Sequence, residues 1–124
     1  MQKILIAEDD QFLSKIYKIK LEKAGYSVVI ALDGNQAIEE ISKSLPDLIL
    51  LDLMMPIKDG FATLEEIKKN PRWSKIPVLV ASNLGQAEDI NRAKKLGADD
   101  FIIKSDTSLS DIVVKIVSFL GSSS

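Results

Sequence analysis

Four short apolar runs in this 124-residue chain each give way to a residue that can do chemistry. Glu8, Asp9 and Asp10 follow Ile4-Leu5-Ile6-Ala7, and Asp52 follows Leu48-Ile49-Leu50-Leu51. Ser82 follows Pro77-Val78-Leu79-Val80-Ala81, and Lys104 follows Phe101-Ile102-Ile103. A charge at the end of a buried strand is costly unless something pairs with it. Asp52 is therefore a candidate reactive carboxylate, although aspartate also begins turns. Carboxylates gathered in one place repel and call for a cation. With oxygen ligands alone, the cation is a hard ion, Mg²⁺ or Mn²⁺, rather than zinc. Ser82 and Lys104 then stand ready for the remaining oxygens of a phosphoryl group, with lysine acting as a point charge.

Each of these residues also has a purely structural use. Asp10 fits the N-cap of the helix that follows it, and Asp9 would complement that helix's dipole. Ser82 or Asn83 could cap the next helix, Lys104 could be a solvated lysine, and Met54 and Met55 read as core filler rather than ligands. What favours a site is the recurrence of such residues at the ends of several strands.

The elements that must position them are legible from periodicity. After Gln11 the period turns helical, with Leu13, Ile16, Tyr17, Leu21 and Ala24 on one face. Gly25 closes that helix. Val28–Ala31 reads as a second strand and Asp33-Gly34 as a turn. Ala37, Ile38, Ile41 and Leu45 mark a second helix, which Pro46-Asp47 stops. Leu64 and Ile67 mark a short third helix ending before Asn70-Pro71. Ala87, Ile90, Ala93 and Leu96 carry a fourth helix to Gly97. Leu109, Ile112, Val113, Ile116, Val117 and Leu120 form the stripe of a fifth, with Ser108 and Asp111 in a capping arrangement. Five βα units imply an α/β fold with an open, doubly wound parallel sheet covered by helices on both faces. Ligands of such sheets sit beyond the carboxyl ends of the strands.

Composition narrows the chemistry. There is no cysteine and no histidine, which removes thiolate and histidine-based nucleophiles and any phosphohistidine of the chain's own. A net charge of -2 with both signs interspersed is not the basic footprint of a nucleic-acid binder, so no direct nucleic-acid binding is expected. The amino-terminal apolar run is too short for a signal peptide or a membrane span, and a cytoplasmic location is expected. Residues 1–120 read as one domain, and Gly121-Ser122-Ser123-Ser124 as a flexible tail or linker stub.

In its ordered set of motifs the chain resembles the receiver domains of two-component response regulators. The resemblance rests on Ile4 through Asp10, Asp52-Leu53-Met54-Met55-Pro56 with Asp59-Gly60, Ala81-Ser82, Gly97-Ala98-Asp99-Asp100-Phe101 and Lys104. It implies a flavodoxin-like (βα)5 fold with strand order 2-1-3-4-5. It further implies that Asp52 takes a phosphoryl group from a phosphohistidine on a partner histidine kinase or phosphotransfer protein. Asp9, Asp52 and the backbone carbonyl of Met54 would hold Mg²⁺ directly, and Glu8 would reach it through water. Lys104 would neutralise charge, Ser82 would be the switch hydroxyl, and Phe101 the aromatic that follows it. The added charge would shift the face made by helix four, strand five and helix five.

On this resemblance the chain is a signalling switch rather than an enzyme, with at most slow self-phosphorylation from small donors and slow self-dephosphorylation. Its downstream target or output domain is not specified, and it would be a monomer or a phosphorylation-dependent homodimer. Three features depart from the family pattern. Ser105 follows Lys104 where the family usually has proline after a typically cis bond. Asn83 follows Ser82 where a small residue is common. Met54 and Leu84 border the approach of the hydrolytic water, which implies a long-lived phosphoryl group. One rival is a degenerate receiver that binds partners without phosphorylation. Another is an aspartyl phosphatase, which would want an acid where Met54 stands.

Overall fold

Local capping chemistry sets where the helices begin. A computed structural model describes residues 1–121, and in it Asp10, Asp33, Asp59 and Ser108 each accept a hydrogen bond from a backbone N–H three residues on. Each removes one orphan donor from a first turn. The elements alternate: β1 (Lys3–Ala7), α1 (Gln11–Lys23), β2 (Ser27–Ala31), α2 (Gly34–Lys43), β3 (Leu48–Leu51), α3 (Gly60–Lys69), β4 (Val78–Ser82), α4 (Ala87–Lys95), β5 (Asp100–Ile103) and α5 (Leu109–Leu120). Gly25, just past α1, takes φ +98°, which a residue with a side chain rarely adopts.

All four strand pairings are parallel and the order is β2-β1-β3-β4-β5, as the resemblance implied. Side chains alternate across the sheet with period two. Ile4, Ile6, Leu48, Leu50, Leu79, Ala81 and Ile102 pack with Tyr17, Leu21, Ile112 and Ile116 of α1 and α5. Leu5, Ala7, Ile49, Leu51, Val78 and Val80 face the other way, onto α2, α3 and the single buried residue of α4, Ala93. Burial on both faces explains why the strands read as unbroken apolar runs.

Four residues assigned to the core by periodicity or type lie outside it. Ala24 and Ala87 are exposed because each sits at a helix end. Leu45 is 54% exposed, since α2 stops at Lys43 before another turn could carry it inward. Met54 is 57% exposed in the loop after β3, while Met55 is buried as core filler. Gly121, read as the first tail residue, is the C-cap of α5. The rest of that tail, residues 122–124, lies outside the described residues. No helix among the described residues is long and apolar enough to cross a membrane.

Candidate functional site

The backbone ladder fixes two of the acids before any side chain is considered. Asp52 N–H donates to Ala7 O at 2.9 Å and Glu8 N–H donates to Ala31 O at 3.0 Å. Each bond carries its strand pairing one residue past the strand end. Glu8 and Asp52 are thereby held at neighbouring points of the carboxyl edge of the sheet, both buried. Asp9 follows, exposed. One carboxylate oxygen from each of Glu8, Asp9 and Asp52 falls within 4.8 Å of the others. The Asp10 carboxylate is outside this group and caps α1, accepting from Leu13 N–H at 3.0 Å, while the Asp10 N–H donates to Glu8 Oε2 at 3.1 Å.

Lys104 comes from the far side of the sheet. It opens a single 3-10 turn after β5 and reaches over β4 to donate to Asp52 Oδ2 at 3.2 Å, and it also pairs with Glu8. Every described peptide bond is trans, Lys104–Ser105 included, so Ser105 leaves the lysine aimed at the acids. Burial pushes the Glu8 carboxyl up to about 7; the hydrogen bond from Lys104 opposes that and the charge of Asp52 adds to it. Burial works against the Lys104 charge, but its bond to Glu8 and the charges of Asp52 and Glu8 more than offset this, so its pKa lies above the ordinary lysine value. Three carboxylates against one ammonium leave the site short of positive charge. An all-oxygen set of this kind suits a hard divalent cation.

Ser82 ends β4 in register with Ile103, one residue before Lys104, and is fully buried. Its Oγ accepts from Leu84 N–H at 3.3 Å. Neither Ser82 nor Asn83 caps α4: the N-cap is Gln86, which makes no side-chain cap bond. Met54 N–H donates to Asp52 Oδ1 at 3.2 Å, which orients the carboxylate. Phe101 pairs with Val80 in the sheet and is half-buried against the core on the α2–α4 side.

The loop after Asp52 is tightly built. Pro56 O accepts from Lys58 N–H at 2.7 Å around Ile57, whose φ is +68°. That is a γ-turn with an exposed β-branched residue at its centre, a strained arrangement. Gly60 donates to Leu53 O at 2.9 Å, and a Cβ there would lie 2.2 Å from the Asp52 carbonyl oxygen. Only glycine lets α3 start this close to the site. The sequence marks Asp59-Gly60 as part of the family resemblance and does not reveal that contact. It also gave no sign that Lys104 would meet Glu8, since 96 residues separate them.

A family model described as the response regulator receiver domain matches residues 4–116. The DNA-binding dual master transcriptional regulator RpaA of Synechocystis sp. is 41% identical over 104 residues, 84% of this chain and 43% of that protein. The chain spans about two-fifths of the length of the curated relatives it matches. Among solved structures, the phosphorylated cyanobacterial phytochrome response regulator RcpA is 34% identical, with 99% of this chain and 96% of that chain covered and a TM-score of 0.88. The Mn(2+)-bound form of response regulator Rcp1 is 30% identical, with 100% and 97% covered and a TM-score of 0.89. The expectation of no direct nucleic-acid binding finds no support among these relatives, one of which is a DNA-binding regulator.

Proposed function

Because the chain belongs to the response regulator receiver domain family, we propose that it is a phosphoacceptor switch in which Asp52 carries the phosphoryl group. The observation that carries this reading is the convergence of Glu8, Asp9 and Asp52 with the Lys104 ammonium at one edge of the sheet. An Asp52 carboxylate oxygen attacks the phosphorus of a phosphohistidine on a partner kinase or phosphotransfer protein. The N–P bond breaks, an O–P bond forms, and the electron pair returns to the partner's imidazole. Lys104 then turns from carboxylate to phosphoryl oxygens, and Ser82 offers its hydroxyl to another.

Asp9 and Asp52, the Met54 carbonyl and, through water, Glu8 are the groups that would hold Mg²⁺. That ion would neutralise charge as it builds on the transferring oxygens. The new acyl phosphate adds roughly 1.5 to 2 negative charges and shifts the face made by α4, β5 and α5, with Phe101 following Ser82. Residues 1–120 form the receiver unit. Its output acts through a downstream target or an output domain; in the longer relatives the match to this chain takes up about two-fifths of their length.

The test is intact mass after incubation with Mg²⁺ and acetyl phosphate. The mass rises by one phosphate, Asp52→Asn abolishes the rise, and the adduct outlasts donor removal by many minutes because Met54 and Leu84 obstruct water. Loss within seconds would contradict the last point. Absence of any adduct would favour a receiver that binds partners without phosphorylation.

A further inference from the structure

α4 is the helix least held by the rest of the fold. Only Ala93 of its nine residues is buried, and its N-cap residue Gln86 makes no side-chain bond. Elements with so few buried contacts open locally at low free-energy cost. Against this looseness stands one specific contact. The guanidinium carbon of Arg92 lies 4.1 Å from the ring centroid of Phe61, within cation–π range.

Phe61 is not an arbitrary anchor. It is the second residue of α3, buried, and directly follows Gly60. Gly60 is bonded to Leu53 O and leaves no room for a Cβ against the Asp52 carbonyl. A continuous packed path therefore runs from the Asp52 backbone through Gly60 and Phe61 to Arg92. Close-packed interiors transmit displacement instead of absorbing it. Coupling along such a path also needs an element with two arrangements that both ends can bias, and a weakly docked α4 supplies one.

We propose that the Arg92–Phe61 contact is a latch that holds α4 against α3 while Asp52 carries no phosphoryl group, and that phosphorylation opens it. The coupling half rests on Asp52 being the phosphoacceptor; the latch half does not. Linkage then requires the converse: weakening the latch favours occupancy of Asp52 by the same factor.

Hydrogen exchange of the α4 amides in the unphosphorylated chain tests the latch alone. Arg92→Met should speed exchange there about two- to fivefold, the range expected of an exposed cation–π contact. Amides of β1 and β3 should be unaffected, and Arg92→Lys should restore most of the protection. Phe61→Leu should have the same effect as Arg92→Met, and the double variant should add little to either. Unchanged α4 exchange in Arg92→Met, or fully additive effects, overturns the latch. Titration with beryllofluoride in the presence of Mg²⁺ tests the coupling, with Arg92→Met expected to bind about two- to fivefold more tightly. Faster α4 exchange with unchanged beryllofluoride affinity overturns the coupling. Failure of the wild-type chain to bind beryllofluoride contradicts the phosphoacceptor reading, and the exchange data then decide the latch by themselves.

Discussion

Lys104 donates to Asp52 Oδ2 at 3.2 Å while the same ammonium is paired with Glu8. The two carboxylates are 7% and 3% exposed, so one cation holds two acids that would otherwise face each other out of water. Lys104→Met removes that cation and keeps most of the volume. In metal-free buffer at pH 7.5 the variant should lose on the order of 2 kcal/mol in urea unfolding, because a buried charge is left unpaired. Millimolar Mg²⁺ should return part of that loss. Unchanged stability would mean that Lys104 contributes no net pairing energy.

Glu8 gives the site a pH dependence of definite sign. Its ordinary value is 4.5 and its folded value is about 7. Between these, the folded chain keeps a proton that the unfolded chain has released, so this contribution to stability falls as pH rises. It is fully present below 4.5 and gone above about 7. The urea stability of the metal-free wild type, relative to Glu8→Gln, should drop on the order of 2 kcal/mol between pH 5 and pH 7.5. A difference that stays constant across that range would contradict the raised value.

Away from the site, Lys68 fastens the amino-terminal edge of the sheet. Its Nζ donates to Ser74 O at 3.1 Å, Ile76 O at 2.8 Å and Asp99 Oδ2 at 3.2 Å. Asp99 Oδ2 in turn accepts from Val78 N–H at 2.8 Å. Lys68→Met should cost about 1–2 kcal/mol by removing the donor to the partly buried Ser74 and Ile76 carbonyls. Acetyl phosphate labelling of the folded fraction should not change, and a labelling defect in fully folded protein would connect this edge to the site.

Ile57 is the one residue other than glycine with a positive φ among the described residues, and it is 80% exposed. Ile57→Gly relieves the strain and loses little packing. It should raise stability by about 0.5–1 kcal/mol, read as a higher urea midpoint. A lower midpoint would mean that the exposed side chain holds the loop through contacts of its own.

The fold was legible because burial on both faces writes each strand as a plain apolar run, and because caps are local. Asp10 could be read as a cap from its own neighbourhood, and so it is. Asp52, Ser82 and Lys104 stood out as chemistry-bearing residues at strand ends, and the order of the strands then brought their positions to one edge. Contacts made across the sheet were not legible. The pairing of Lys104 with Glu8, the seat of Gly60 on the Asp52 carbonyl and the stacking of Arg92 on Phe61 depend on how far side chains reach, which periodicity does not encode. Met54 misled for a different reason: its type suggests core filler, but it stands in the loop after β3, where the chain turns it outward while Met55 is buried. The alternative use of Ser82 as a helix cap is ruled out because β4 runs one residue further than its apolar pattern, which leaves Ser82 inside the sheet.

The central claim is that Asp52 carries the phosphoryl group, and its most direct measurement is chemical trapping. Borohydride reduces an aspartyl phosphate to homoserine, which marks the acceptor permanently. After incubation with acetyl phosphate and Mg²⁺, reduction and peptide mass mapping should find homoserine at position 52 and nowhere else, with none formed when Mg²⁺ is withheld. Homoserine at Asp9 or Asp10 in place of position 52, or none at all in folded protein that binds Mg²⁺, would contradict the account.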